Sequence, residues 1–213
     1  NVFSVNFDTK FRNNWSFNTK LFGLVAERNS VGFTATPNSE DAINPTTNQY
    51  ENRRVDRDKY ENYGLETRSI YQYKLGKTAN NLAFGLRYYE ANTERLQQGK
   101  GTTGSDFDLT VLEEFPRALN FTTKNVAFFA ENQVKVTDHF SVTPGVRFEQ
   151  INSTAKGQFG VQNSSPVVLG NRELSRSKPL FGIGLEYKFR ATNLYANITQ
   201  AYRPVLFSDL TPP

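Results

Sequence analysis

Along eight stretches of the chain, apolar and polar residues alternate with a period of two, and every charge within those stretches falls on the polar parity. The apolar positions begin Phe3, Val5, Phe7, Phe11; Trp15, Phe17, Leu21, Val25; Tyr63, Leu65, Tyr71, Tyr73, Leu75; and Leu82, Phe84, Leu86, Tyr88. They resume as Val126, Phe128, Val134, Val136; Phe140, Val142, Val146, Phe148; Phe181, Ile183, Leu185, Tyr187, Phe189; and Leu194, Ala196, Ile198, Tyr202. Between them stand Asp8, Lys10, Lys20, Glu66, Arg68, Arg87, Glu131, Arg147, Glu149, Glu186 and Lys188. A period of two sends successive side chains to opposite faces of a sheet, so the pattern predicts strands with one charge-free face.

Two environments tolerate such a face: a second protein layer or hydrocarbon. Sandwiches join their strands by short connections. Here the connections read as alternately tight and long. Asn13-Asn14, Gly76 to Asn80, Thr137 to His139 and Arg190 to Asn193 are tight, whereas Asn29 to Asp58, Ala91 to Lys124 and Gln150 to Pro179 read as long loops. Membrane barrels have that asymmetry, and on their lipid face a charge costs ~2–4 kcal/mol at midplane. The chain therefore reads as an all-β, antiparallel transmembrane β-barrel wall.

Composition changes this picture little. Hydrophobic content is 37% and mean hydropathy −0.59, too polar for helical spans, and no apolar run reaches the ~18 residues such a span needs. A barrel hides its apolar band in every second residue. The 18 Phe and 10 Tyr suit a lipid face with aromatic girdles. Cysteine is absent, which removes disulfides and thiolate metal sites. The net charge of +4 comes from basic and acidic residues interleaved, not from a basic run alternating with stacking aromatics, so a nucleic-acid partner is not expected. Asn1-Val2-Phe3-Ser4 is already strand-like and carries no leader features, and Asp209 to Pro213 reads as loop. The expectation is one partial barrel domain over residues 1–213, cut from a longer polypeptide.

Two segments carry a family resemblance. Asn125-Val-Ala-Phe-Phe-Ala-Glu through Val142-Thr-Pro-Gly-Val-Arg-Phe-Glu149 is one; Leu180-Phe-Gly-Ile-Gly-Leu through Leu194-Tyr-Ala-Asn to Ala201-Tyr-Arg-Pro204 is the other. Both resemble barrel hairpins of TonB-dependent outer-membrane receptors of the ferric-citrate and ferric-siderophore type. The resemblance implies a parent barrel of about 22 strands with a plugged lumen. It also implies a TonB-contact segment ahead of the plug, neither of them within this sequence. The expected function is uptake of an iron chelate, ferric citrate or another ferric siderophore, energised through the TonB complex. The chelate is cargo, no cofactor is expected, and the protein is not expected to be an enzyme. Its surroundings would be outer-membrane lipid and lipopolysaccharide. Two alternatives stand beside this reading: a closed eight-stranded structural or adhesion barrel, and a soluble β-sandwich binding module.

No catalytic or metal site is expected. His139, the single histidine, lies in a tight turn with no ligand-spaced partner. Glu113-Glu114 lacks a nucleophile or an orienting group nearby. Pro144-Gly145 inside a strand predicts a bulge or a locally broken ladder, since proline donates no hydrogen bond. Gly182 and Gly184 on the polar parity fit either strand bending or close approach of another backbone. Guanidinium forks suit carboxylate-rich chelates. The candidate ligand-binding residues are therefore the arginines of the long connections: Arg53, Arg54, Arg57, Arg95, Arg117, Arg172 and Arg176. Pairing with nearby acids is the competing role for each.

Overall fold

The computed structural model describes every residue except Ser105, Pro204, Pro212 and Pro213. The proline of the Ala201 to Pro204 segment thus lies outside the described residues. Eight strands follow one another: β1 (Val2–Phe11), β2 (Trp15–Gly32), β3 (Arg54–Leu75), β4 (Thr78–Lys100), β5 (Arg117–Lys135), β6 (Phe140–Gln162), β7 (Ser165–Phe189) and β8 (Thr192–Thr199). A short helix, α1 (Phe207–Leu210), comes after them. All eight strands form one antiparallel sheet whose spatial order equals the chain order.

The predicted faces are realised along the strands; Tyr202 is the exception, since it lies beyond β8 and its hydroxyl reaches Glu149 on the polar face instead of standing on the apolar parity. Among the described residues no second layer covers the apolar parity, and Phe3, Phe7, Leu86 and Phe181 are 53–63% exposed. That removes the sandwich. The closed eight-stranded barrel fails on a different ground: β1 and β8 are the two edges of the sheet and do not pair with each other.

The apolar face is bounded at both ends. Near the tight turns, Trp15 stacks on Phe17 at 5.5 Å and Tyr71 on Tyr73 at 6.2 Å, ring centre to ring centre. At the other border, on the same parity, the Tyr88 hydroxyl donates to Glu90, whose Oε1 is 3.6 Å from Lys124 Nζ. Beyond that border the face turns ionic, with Lys59 and Glu94 3.9 Å apart. From Tyr63 to Tyr73 is about 33 Å of strand, or about 25 Å of height at a tilt near 40°, the height of a barrel's apolar band. The tilt is also visible in the register. Val5, Leu21, Leu65, Tyr88, Val126, Gln150 and Ser177 occupy one row of paired residues. At ~4.8 Å per strand a tilted row climbs about 18 Å over that distance, which is why it begins at Val5 in the apolar band and ends at a serine above it.

The strands run well past the band, and this corrects the sequence reading of the connections. Only residues 33–53 and 101–116 lie outside strands at the first two long connections. The third is no loop at all: β6 and β7 stay paired to a tight turn at Asn163-Ser164. Both turn residues have positive φ (49° and 61°), as a two-residue hairpin turn that matches strand twist requires. The polar residues between Gln150 and Pro179 had looked like loop because above the membrane both faces of a hairpin meet water, and the apolar alternation lapses. Consequently Arg54, Arg57, Arg95, Arg117, Arg172 and Arg176 sit on strands, and Arg53 alone sits in a loop.

At Pro144 the ladder is broken, without a bulge. Pairing between β5 and β6 stops at Glu131–Gly145 and resumes at Val134–Val142 in the same register, while Pro144 still faces Ile183 across the β6–β7 pair. True register shifts occur higher up, at Val55/Arg57, Ala155/Gly157 and Gln158/Gly160. The first is fixed by Asp56, whose carboxylate accepts from the backbone N–H of Gln98 (2.7 Å), a residue held at φ 62°.

Replacing Leu65 on the apolar face by arginine should lower bilayer stability by ~2–4 kcal/mol, whereas arginine at Ile70 on the polar face should change it by less than ~1 kcal/mol. Urea titration of the full-length protein refolded in vesicles measures both; equal losses would contradict the assignment of faces.

Candidate functional site

Two groups of charged residues stand on the polar face. The outer one is built on Asp58, whose side chain is fully buried. Register places Arg28 of β2, Asp58 of β3 and Arg95 of β4 side by side. Arg28 donates a hydrogen bond from Nη2 to Asp58, Gln97 donates from Nε2 at 3.2 and 3.3 Å, and Tyr60 donates from its hydroxyl at 3.3 Å. Arg95 Nε lies 3.6 Å from the same carboxylate. A carboxylate removed from water is tolerated only when its lone pairs are met in this way. The result is two guanidiniums held by one acid beneath them.

The inner group lies at the level of the apolar band. Gly85 leaves a gap in which Phe129, its direct cross-strand partner, lies flat. A Cβ at Gly85 would run into that ring and into the Thr67 carbonyl. Arg68 and Arg147 sit over Phe129 with their guanidinium carbons 6.0 and 5.9 Å from the ring centre. Arg68 also pairs with Glu66, and Arg147 with Glu149. Arg87 lies 3.7 Å from Glu66 and 5.5 Å above the Phe22 ring, which itself packs over Gly64. A concavity of about 750 Å³ opens on this wall, lined among others by Arg68, Arg87, Phe129, Arg147, Gly182 and Gly184.

The arginines expected to bind ligand do not converge on one point. Arg53 is buried between the Phe33 and Tyr50 rings (5.8 and 5.0 Å), donates Nη1 to Asp41 at 2.8 Å and Nε to the Gly104 carbonyl at 2.7 Å. It ties the first two loops together. Arg54 is 3.0 Å from Asp56, and Arg57 donates to the Leu109 carbonyl. Arg117 stacks on Phe159 at 4.5 Å and donates to its carbonyl at 3.0 Å. Arg176 donates to the carbonyl of Arg203 at 3.1 Å, and Arg172 is exposed on β7. Of the seven, Arg95 alone belongs to the Asp58 group. Arg28 and Asp58 escaped sequence reasoning because Arg28 borders, and Asp58 ends, the stretch taken as loop; extending the alternation of β2 and β3 into it would have placed both on the polar face.

After β8 the chain folds back over the same face. Leu210 is buried among Leu119, Phe121, Ala155 and Leu169, and the Phe207 ring centre is 4.4 Å from that of Phe121. Tyr202 donates to Glu149, and Asp209 accepts from Leu206 N–H (3.0 Å) and Arg203 (2.8 Å). The backbone hydrogen bond from Leu206, then the Arg203 side chain, hold the Asp209 carboxyl below its ordinary range.

An open antiparallel wall with an apolar band on one face and ionic residues on the other is a segment of an outer-membrane β-barrel. The family model described as TonB dependent receptor-like, beta-barrel, matches residues 1–213, and the chain belongs to that family. Solved structures agree on the fold. The ferric citrate transporter FecA in unliganded form superposes with a TM-score of 0.70 at 20% identity over 92% of this chain and 26% of that one. The ferric-catecholate import receptor Fiu of E. coli K12, in open form, gives 0.67 at 13% identity over 95% and 35%. The siderophore receptor PiuA from Acinetobacter baumannii gives 0.64 at 12% identity over 92% and 31%. The chain thus spans between a quarter and about a third of these structures.

Two outcomes follow from the geometry. Replacing Arg28, Arg95 and Gln97 together by apolar residues leaves Asp58 buried with only the Tyr60 hydroxyl as donor and no opposite charge, and should cost ~3–5 kcal/mol in urea unfolding. Asp58→Asn, which leaves only half-exposed arginines, should cost clearly less; a larger loss would reverse the roles assigned here. Because the folded-state pKa of Asp209 is lowered, its contribution is present above the ordinary carboxylate value of 3.8 and is lost as pH falls below it. Amide protection factors at Leu206 and Leu210, relative to intrinsic exchange at each pH, should therefore fall below that pH, and Asp209→Asn should abolish the change.

Proposed function

We propose that this chain is wall and outer mouth of a receptor that takes up an anionic iron chelate, ferric citrate or another carboxylate- or catecholate-bearing siderophore complex. Energy would come from TonB through a segment outside these residues. The supporting observation is the pair Arg28 and Arg95, fixed by a buried carboxylate on the polar face above the band. Guanidiniums held from behind keep donors for a bidentate anion without the entropy of two free side chains. Arg172 and Arg176 remain further candidates for ligand contact. On the opposite face, Lys59 and Lys124 stand where lipopolysaccharide headgroups would be met.

The test uses the full-length receptor in a strain lacking its own copy. Growth is scored on ferric citrate, a ferric catecholate and a cationic ferric hydroxamate as sole iron sources, with equilibrium binding of each chelate. Arg28→Gln with Arg95→Gln should weaken binding of the anionic chelates about tenfold or more, as expected for losing charge-assisted hydrogen bonds at ~1.5–3 kcal/mol each. The cationic chelate should be unaffected. If no iron source depends on the receptor, the import reading fails. Unchanged anionic affinity in the double variant would remove this pair from the site.

A further inference from the structure

We propose that Arg12, Lys77 and Arg190, at three of the four tight turns, hold anionic phospholipid headgroups of the periplasmic leaflet on the outside of the barrel. Family membership fixes only which leaflet these turns meet, since outer-membrane barrels keep their short turns on the periplasmic side. The proposal holds whatever cargo the receptor carries.

The last outward-facing residues of β1, β3 and β7 are Phe11, Leu75 and Phe189, all 55–63% exposed on the lipid side. Each is followed by a tight turn that carries a cation. The Arg12 guanidinium carbon lies over the Phe11 ring and that of Arg190 over the Phe189 ring, both 5.4 Å from the ring centre. The two side chains thus lean back onto the lipid-facing surface instead of into the lumen. Both arginines hold left-handed backbone, φ 57° and 52°, where asparagine or glycine would sit with less strain. Gly76 takes that conformation in the β3–β4 turn, and the cation there moves one place on, to Lys77.

Among the described residues none of the three cations has an ion-pair partner. Asp8 and Glu186, the acids at these strand ends, stand on the lumen parity; Asp8 accepts from Asn18 at 2.7 Å, and Glu186 lies 3.5 Å from Lys188. Asp138 occupies the fourth turn, which carries no lysine or arginine. At the opposite border Lys59 and Lys124 each face a glutamate, at 3.9 and 3.6 Å. The lipid side therefore carries unbalanced positive charge at the turn border alone. A guanidinium seated on an aromatic ring keeps its edge N–H groups free, and these fit the oxygens of a phosphodiester. A zwitterionic headgroup brings its own ammonium to that phosphate. Phosphatidylglycerol and cardiolipin do not, so an unpaired cation at headgroup depth prefers them. Turns recur every two strands, about 10 Å across the sheet, so each cation meets its own lipid.

The chain contains no cysteine, so a single thiol marks one turn cleanly. Asn13→Cys and Ala191→Cys, each made in the full-length receptor and labelled with bimane, stand next to Arg12 and Arg190. The receptor is reconstituted in vesicles containing phosphatidylglycerol or phosphatidylethanolamine with a nitroxide near the headgroup. The readout is the ratio of bimane quenching by the first lipid to quenching by the second. At low salt the ratio should exceed one by about threefold and fall toward one at ~1 M salt. Arg12→Asn should lower it by about half or more at the Asn13 reporter, and Arg190→Asn likewise at Ala191. Asparagine suits left-handed turn positions, so the backbone is not strained by the change. Arg12→Lys and Arg190→Lys, which keep the charge, should retain most of the preference. A variant that fails to fold loses quenching by both lipids, whereas the proposal requires loss of the phosphatidylglycerol excess alone. A ratio of one in the parent receptor, or an excess that survives the asparagine variants, overturns the proposal and leaves these turns to water or to an acidic periplasmic protein. No chelate enters the measurement, so it decides the proposal even if the receptor imports none.

Discussion

Everything in this wall follows from the cost of placing charge against hydrocarbon. A strand offers two faces and no more, so excluding charge from one of them concentrates every ionic group on the other. The inner arginines and their acids stand in adjacent strands for that reason and need no separate device to bring them together. The same exclusion fixes register, because a slip of β3 by one residue would carry Glu66 and Arg68 into the membrane together.

Within the ionic face, acids lie below bases, so the guanidiniums form the exposed layer. Asp58 is the extreme case, fully enclosed by Arg28, Gln97, Tyr60 and Arg95. Aromatic rings over cross-strand glycines give the guanidiniums flat seats: Phe129 on Gly85 and Phe22 on Gly64. Neither glycine tolerates a side chain without displacing the ring above it.

Inside the band, strand positions and facing were legible from the alternation of residues such as Tyr63, Leu65 and Glu66, since hydrocarbon imposes it. Above the band the signal fades. Residues 150–179 are as regularly paired as any others, yet Asn152, Ser153, Thr154 and Ser175 alternate nothing that composition can reveal. The turn at Asn163-Ser164 was the available clue. The site was legible only in part for the same cause: Arg95 was named, whereas Arg28 and Asp58 lay beyond the last apolar position of their strands. The inner arginines were placed on the correct face but could not be grouped, because cross-strand register depends on turns and bulges such as those at Gln98 and Gly157.

The meander order of the sheet has a consequence for biogenesis. Each strand pairs with the one just made, so successive hairpins close over short chain separations and the entropy of closure stays low at every step. Both margins of the finished piece, β1 and β8, still carry open rows of backbone donors and acceptors at membrane depth, where nothing but another strand can satisfy them.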